Sequence, residues 1–260
     1  MPGINDLEKT ARRELTIFYV LDTSGSMEGA PISTLNKAME ETVEVLRDQA
    51  KSNADALLKI GVLEFNTGCR WVQPAGPEEL EDFFWEDLEA GGLTAVGAAL
   101  SELDKKLSRS AFLKSMTGAY LPIIIFMSDG YANDEYKKAL DEIRRNKWFN
   151  RATKIGFAIG DNPDYKMICE VVGNSEAVIK TNDLETFAKL LKFASVTASM
   201  LASTSRTSDA SLSGSDIVKK LSEDAKLETA KNTEYDPEPE PEPDPVDEDD
   251  PGWPDLEGWK

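Results

Sequence analysis

Two aspartates stand directly after apolar, β-favouring runs. Asp22 follows Leu15-Thr-Ile-Phe-Tyr-Val-Leu21, and Asp129 closes Leu121-Pro-Ile-Ile-Ile-Phe-Met-Ser128. Beside the first lie Ser24 and Ser26, with Gly25 between them to permit a tight turn. Thr94 is a further hydroxyl, on a stretch where Gly91 and Gly92 would let the backbone come close. Every one of these side chains offers oxygen. Hard cations such as Mg2+ take oxygen ligands at about 2.0–2.1 Å and keep several waters. Two carboxylates and three hydroxyls would suit Mg2+, and Mn2+ as a second choice. Neutral hydroxyls leave such an ion much of its positive charge, so a carboxylate from outside can complete the shell. That chemistry is holding, not bond-breaking.

Five residues so far apart in the chain need a frame that brings them together. The two continuous apolar runs read as central strands covered on both faces. Segments 57–65 and 69–72 read as strands joined by the Asn66-Thr-Gly turn, a hairpin that supplies an antiparallel edge. Further strands are expected at 154–159 and 177–180. Helical spacing of apolar residues is found over 32–50, 95–107, 135–145, 163–172 and 183–201, the last with Asp183 as N-cap. Strands alternating with helices predict a doubly wound α/β fold: a mostly parallel sheet, one antiparallel edge strand, and helices on both faces. In such sheets ligands bind at the carboxyl ends of strands, where the winding reverses. Asp22 and Asp129 would converge there if their strands are neighbours.

The pieces Asp22-Thr-Ser-Gly-Ser-Met27, Gly91-Gly-Leu-Thr94 and Met127-Ser-Asp-Gly130 together resemble the three parts of the metal-ion-dependent adhesion site of von Willebrand factor A domains. The resemblance covers residues 12–202. It implies a Rossmann-like sheet in which Ser24, Ser26 and Thr94 bind the ion directly. Asp22 and Asp129 would act mostly through water, and an acidic side chain of a partner protein would take the open position. Within that superfamily, Gly29-Ala-Pro-Ile-Ser-Thr-Leu-Asn-Lys37 and Tyr120-Leu-Pro122 are similar to intracellular bacterial proteins of the TerY type. Those are linked to tellurium resistance and stress responses, and associated as adaptors with protein kinases and phosphatases. Some of them carry a cysteine-rich zinc module at the C-terminus, which this chain replaces with an acidic, proline-rich stretch.

Composition closes several routes. The 260 residues contain no histidine, which removes Ser-His-Asp triads, Cys-His pairs and histidine-based metal sites. Cys69 and Cys169 follow no metal-ligand spacing and read as reduced apolar fillers. The net charge of −19 offers no basic face for nucleic acid or anionic lipid. No apolar run nears the ~20 residues of a bilayer span, and Met1-Pro-Gly-Ile-Asn-Asp lacks signal-peptide regions, so a cytoplasmic location is expected. Two other functions compete with a non-enzymatic binding module. One is a Mg2+-dependent phosphotransferase using Asp22 as nucleophile, although Ser24 stands where aspartyl phosphatases place a second aspartate. The other is a substrate-presenting subunit of an ATP-driven chelatase or remodelling complex. No Gly-rich loop ending in Lys-Ser or Lys-Thr is present, so the ATPase would be a separate chain.

The expected organisation is an extension at 1–11, the domain at 12–202, a linker at 203–215 with six serines, an amphipathic helix at 216–233 and a tail at 234–260. That tail carries 12 acids and one base, hence −11 of the total charge. Its alternating prolines and like charges favour disorder. Trp253 and Trp259 stand in it where no core could use them, which suits a short recognition motif for a partner or for self-association. Trp85 and Trp148 read as packing residues, and Asn133, Asp134 and Glu135 as a solvated loop and helix start.

Overall fold

The computed structural model describes residues 12–52, 56–114, 118–204 and 215–220. A strand buried on both faces needs apolar side chains pointing both ways. In β1 (Arg13–Asp22), Leu15, Ile17, Tyr19 and Leu21 enter one core while Phe18 and Val20 enter the other. After α1 (Ala30–Ser52) come β2 (Ala56–Phe65), β3 (Cys69–Trp71) and β4 (Glu78–Glu79). Then follow α2 (Val96–Lys106), β5 (Ile123–Ser128), α3 (Tyr136–Ile143) and α4 (Lys147–Arg151). The chain continues through β6 (Thr153–Ile159), α5 (Tyr165–Val172), β7 (Val178–Thr181) and α6 (Leu184–Thr204).

The sheet order is β3-β2-β1-β5-β6-β7, and all pairings from β2 to β7 are parallel. The expected antiparallel edge is present but shared. Both β3 and the two-residue β4 pair with β2, at opposite ends of it. One face is covered by α1 and α6, through Leu35, Met39, Val43 and Leu46 of the first and Phe187, Leu191 and Ala194 of the second. The other is covered by α2, α3 and α5, through Leu100, Leu140, Ile143 and Ile168. Burying each large side chain contributes about 1.5–3 kcal/mol. The winding reverses between β1 and β5, which are direct neighbours.

Several boundaries move from their expected places. The short helix α4 was not expected from spacing. Its side-chain cap is Asn146, which accepts from the Trp148 and Phe149 N–H groups while its own amide donates to Asp104 and to the Leu107 carbonyl. Trp85 and Trp148 pack against the two cores as expected. The serine-rich linker is shorter at both ends: α6 runs through Thr204, and Ser215 is already helical and buried. The turn at 215–220 is no free solvated helix, because Ile217 is 1% exposed inside the α1/α6 core and Lys219 reaches Glu176 at 3.8 Å. Its continuation at 221–233, the tail and residues 1–11 lie outside the described residues.

Candidate metal centre at the ends of β1 and β5

Parallel pairing sets Leu21 opposite Met127, so the next residues, Asp22 and Ser128, face each other. The Ser128 hydroxyl donates to Asp22 Oδ2 at 2.5 Å, and the Ser24 N–H donates to Asp22 Oδ1 at 2.8 Å. Asp22 is 0% exposed. Past it the chain turns, and Ser24 and Ser26 bring their Oγ atoms to 3.0 Å from each other. The Ser26 hydroxyl then donates to Asp129 Oδ1 at 2.7 Å, across 103 residues of sequence. Gly130 reports where the fifth residue lies: a Cβ on it would sit 3.3 Å from Ser26 Oγ and 3.6 Å from Thr94 Oγ1. The five predicted residues therefore share one small volume, with Ser26 at its open side.

The Ser24 turn is not a simple helix N-cap. Ser24 precedes a single 3-10 turn, Gly25–Met27, and its side chain makes no capping bond. Gly25 is needed for close approach and not for an unusual dihedral. Its N–H donates to the Gly92 carbonyl at 3.1 Å, and an added Cβ would come within 3.3 Å of that oxygen. Gly92 does need its freedom, with φ at +82° and a Cβ position already taken by the Thr67 hydroxyl. The Gly91 N–H donates to the Thr23 carbonyl at 2.8 Å, so the first and second loops are laced together by backbone alone. Asn36 of α1 holds the approach to this loop, exchanging bonds of 3.0 and 2.9 Å with the Leu88 carbonyl and N–H.

Asn133 and Asp134, read from sequence as solvated loop, act as braces. The Asn133 N–H donates to the Thr94 carbonyl at 2.9 Å, and its side-chain oxygen accepts from the Thr94 N–H at 2.8 Å. Asp134 accepts from the Gly97 and Ala98 N–H groups, both at 3.0 Å, and so caps α2, whose own N-cap residue Ala95 offers no side-chain cap. Ser128 was likewise not singled out. Its only sequence signal is its place one residue before Asp129 at a strand end.

Burial pushes the Asp22 carboxyl up to about 6, against the opposing hydrogen bonds from Ser128 and Ser24, and the charge of Asp129 adds to the rise. Burial also raises Asp129, opposed by the Ser26 hydroxyl. Among the described residues, no lysine or arginine offsets either rise. Two carboxylates without a cation, one fully buried, form an electrostatically incomplete site. A bound proton or a bound cation would complete it. The donor set is oxygen throughout, and no group of three or more His, Cys, Asp or Glu converges among the described residues. A hard divalent ion fits this set, with hydroxyls in place of further carboxylates.

The family model of the von Willebrand factor type A domain matches residues 16–193. No curated protein sequence matches the chain. Among solved structures, the chain is similar to proximal thread matrix protein 1 from the mussel byssus with a zinc occupied MIDAS motif. That likeness has 18% identity and a TM-score of 0.52, covering 70% of this chain and 47% of the other. A von Willebrand factor type A protein from Catenulispora acidiphila gives 16%, 0.52, 71% and 42% in the same order. The pilus adhesin SpaC from Lactobacillus rhamnosus GG, in its open conformation, gives 9%, 0.56, 71% and 30%. The chain spans less than half the length of each of these, and at such identities the likeness is one of fold. Among the described residues, no helix is long and apolar enough to cross a membrane.

Proposed function

Because the chain belongs to the von Willebrand factor type A domain family, we propose that it is a non-enzymatic binding module that holds a partner protein through a divalent cation, Mg2+ or Mn2+. Ser24, Ser26 and Thr94 would contact the ion, Asp22 and Asp129 would neutralise it from behind, and an Asp or Glu of the partner would complete it. The observation that carries this reading is the convergence of three hydroxyls and only two carboxylates at the β1/β5 switch point. A bound cation would supply electrostatic attraction for a carboxylate, and the chain's own residues set its position and residual charge. Asp22 suits this supporting role better than that of a nucleophile. It is fully buried, and each of its oxygens already accepts a hydrogen bond.

The local likeness at residues 29–37 and 120–122 supports the narrower reading of a cytoplasmic TerY-type adaptor in tellurium-resistance or stress signalling, with a protein kinase or phosphatase as partner. Affinity capture from native lysate tests both levels, using wild-type and Ser24→Ala/Ser26→Ala protein in Mg2+ and in EDTA. The expected result is a partner set lost on mutation and on chelation alike. A partner set indifferent to both would overturn the metal-dependent reading, and one without kinases or phosphatases would overturn the narrower one.

A further inference from the structure

Two stretches of this acidic chain hold cations and no acid. Lys105-Lys-Leu-Ser-Arg-Ser-Ala-Phe-Leu-Lys114 carries four, and Arg144-Arg-Asn-Lys-Trp-Phe-Asn-Arg-Ala-Thr-Lys154 carries five. The other 239 residues sum to −28, so the overall charge of −19 conceals them. The fold sets the two side by side. Asn146 donates to the Asp104 side chain at 2.9 Å and to the Leu107 carbonyl at 3.1 Å, which ties the start of α4 to the end of α2. Past that end the chain folds back: the Phe112 N–H donates to the Lys106 carbonyl at 3.2 Å, and Lys106 Nζ lies 5.1 Å from the centre of the Phe112 ring. Lys154 donates to the Phe149 and Ala152 carbonyls at the other end of α4. Arg109, Arg145 and Lys147 are exposed and form no ion pair among the described residues. Four acids in sequence border the corner, Glu102, Asp104, Asp141 and Glu142, and leave it a local surplus of +5. It lies at the far end of the sheet from Asp129. Thr153 at the start of β6 pairs with Ile123 at the start of parallel β5, and the five steps from there to Ser128 span roughly 16 Å.

The make-up of this corner selects among polyanions. Among the described residues, none of the exposed large apolar side chains falls in either stretch, and Phe112 and Trp148 pack against the core under α2, α3 and α5. A lipid surface needs a second, apolar anchor for stable attachment. Single strands need free rings on which bases stack, and a protein interface draws most of its energy from buried aromatic anchors. The phosphate backbone of a duplex needs none of these, because Lys and Arg bind it by charge whatever the sequence. We propose that the α2/α4 corner is a second binding site, independent of the ion, that takes the phosphate backbone of double-stranded nucleic acid. The acidic remainder of the chain confines the contact to short range, since charges beyond about 10 Å are screened at 0.1 M salt. With about four phosphates neutralised, log K should fall with log salt at a slope of about −3.6. That is roughly 150-fold between 50 and 200 mM.

The test titrates the full chain into a fluorescent DNA duplex of about 20 base pairs, in EDTA and in Mg2+, and reads anisotropy from about 50 to 200 mM KCl. Expected is binding in EDTA with the slope above, unchanged in Ser24→Ala/Ser26→Ala. Arg145→Glu/Lys147→Glu should weaken it by at least about tenfold and make the slope shallower by about two. Arg109→Glu, on the other stretch, should act in the same direction. Lys37→Glu/Lys51→Glu makes an equal change of charge on α1, across the sheet, and should leave affinity within about twofold of wild type. Absence of duplex binding at the lowest salt overturns the proposal. So does an equal loss in the α1 variant, because the attraction would then have no location. Binding that needs Mg2+ and disappears in Ser24→Ala/Ser26→Ala would put phosphate on the ion and overturn it too. Phosphatidylserine vesicles and polyglutamate run alongside, and tighter binding to either than to the duplex reassigns the corner to a membrane or an acidic protein.

Discussion

Replacing Ser128 with alanine removes one hydroxyl that never meets solvent, yet its effect on ion binding should depend on pH in a specific way. In the native chain that hydroxyl donates to Asp22 Oδ2 at 2.5 Å, and both groups are fully buried. A hydrogen bond to a charged group is worth about 1.5–3 kcal/mol, and 1.36 kcal/mol is one pKa unit. Its loss disfavours the carboxylate, so Asp22 moves up from about 6 to roughly 7–8 in Ser128→Ala. On the proposed reading a proton on Asp22 opposes the ion, whether the carboxylate reaches it directly or through water, because the charged form is what neutralises the ion. At pH 5.5 the variant should bind Mg2+ or Mn2+ roughly 10–80-fold more weakly than wild type. Near pH 9, where Asp22 is ionised in both, the two should agree. Calorimetric titration at half-unit steps from pH 5.5 to 9 measures the gap. A deficit that stays constant with pH would mean that the serine shapes the loop and does not tune the carboxylate. No deficit at pH 5.5 would refute the electrostatic reasoning outright.

Other outcomes follow from the same geometry. Asp22 is raised from 3.8 to about 6 in the folded state. Its contribution to metal-free stability is therefore full below pH 4 and lost as pH rises through about 6, a difference of roughly 3 kcal/mol. Melting curves without ion should drop over that window, and Mg2+ should restore more stability at pH 7.5 than at pH 5. Asn133→Ala leaves the Thr94 N–H without its 2.8 Å acceptor. It should weaken ion binding about tenfold while changing stability by about 1 kcal/mol, read by calorimetry and denaturant melts. Gly156→Ala would place a Cβ 2.8 Å from Ile168 Cγ2 and 2.9 Å from Val172 Cγ2. Overpacking of about 2 kcal/mol should lower Tm by roughly 4–8 °C with ion affinity unchanged.

The features readable from sequence are those set by strong local patterns. Burial on both faces of β1 and β5 needed apolar residues pointing both ways, and the runs at 15–21 and 121–127 have them. Asp22 and Asp129 stood out because a carboxylate at the end of such a run is costly to bury unless something pairs with it. What escaped depends on which loop lies across which. Ser128 finds Asp22 only through the β1/β5 register, and Asn133 finds Thr94 only because the β5–α3 loop crosses the second loop. The five-residue α4 is too short to be favoured by propensity. It exists because Asn146 ties its start to the end of α2. Similarly, the turn at 215–220 has too little apolar surface to declare itself, and Ile217 becomes core only as part of the cluster on the α1/α6 side of the sheet.

The backbone lacing of the first two loops has a consequence for which ion is accepted. Thr23 to Gly91 and Gly25 to Gly92 are joined main chain to main chain, and Thr94 is clamped by Asn133 through both its N–H and its carbonyl. Hydroxyls carried on such a frame cannot spread far to make room. Ca2+ asks for six to eight oxygens at about 2.3–2.6 Å, whereas Mg2+ asks for six at about 2.0–2.1 Å. On the proposed metal-binding reading, such a frame would act as a ruler, favouring Mg2+ over the larger Ca2+ by radius.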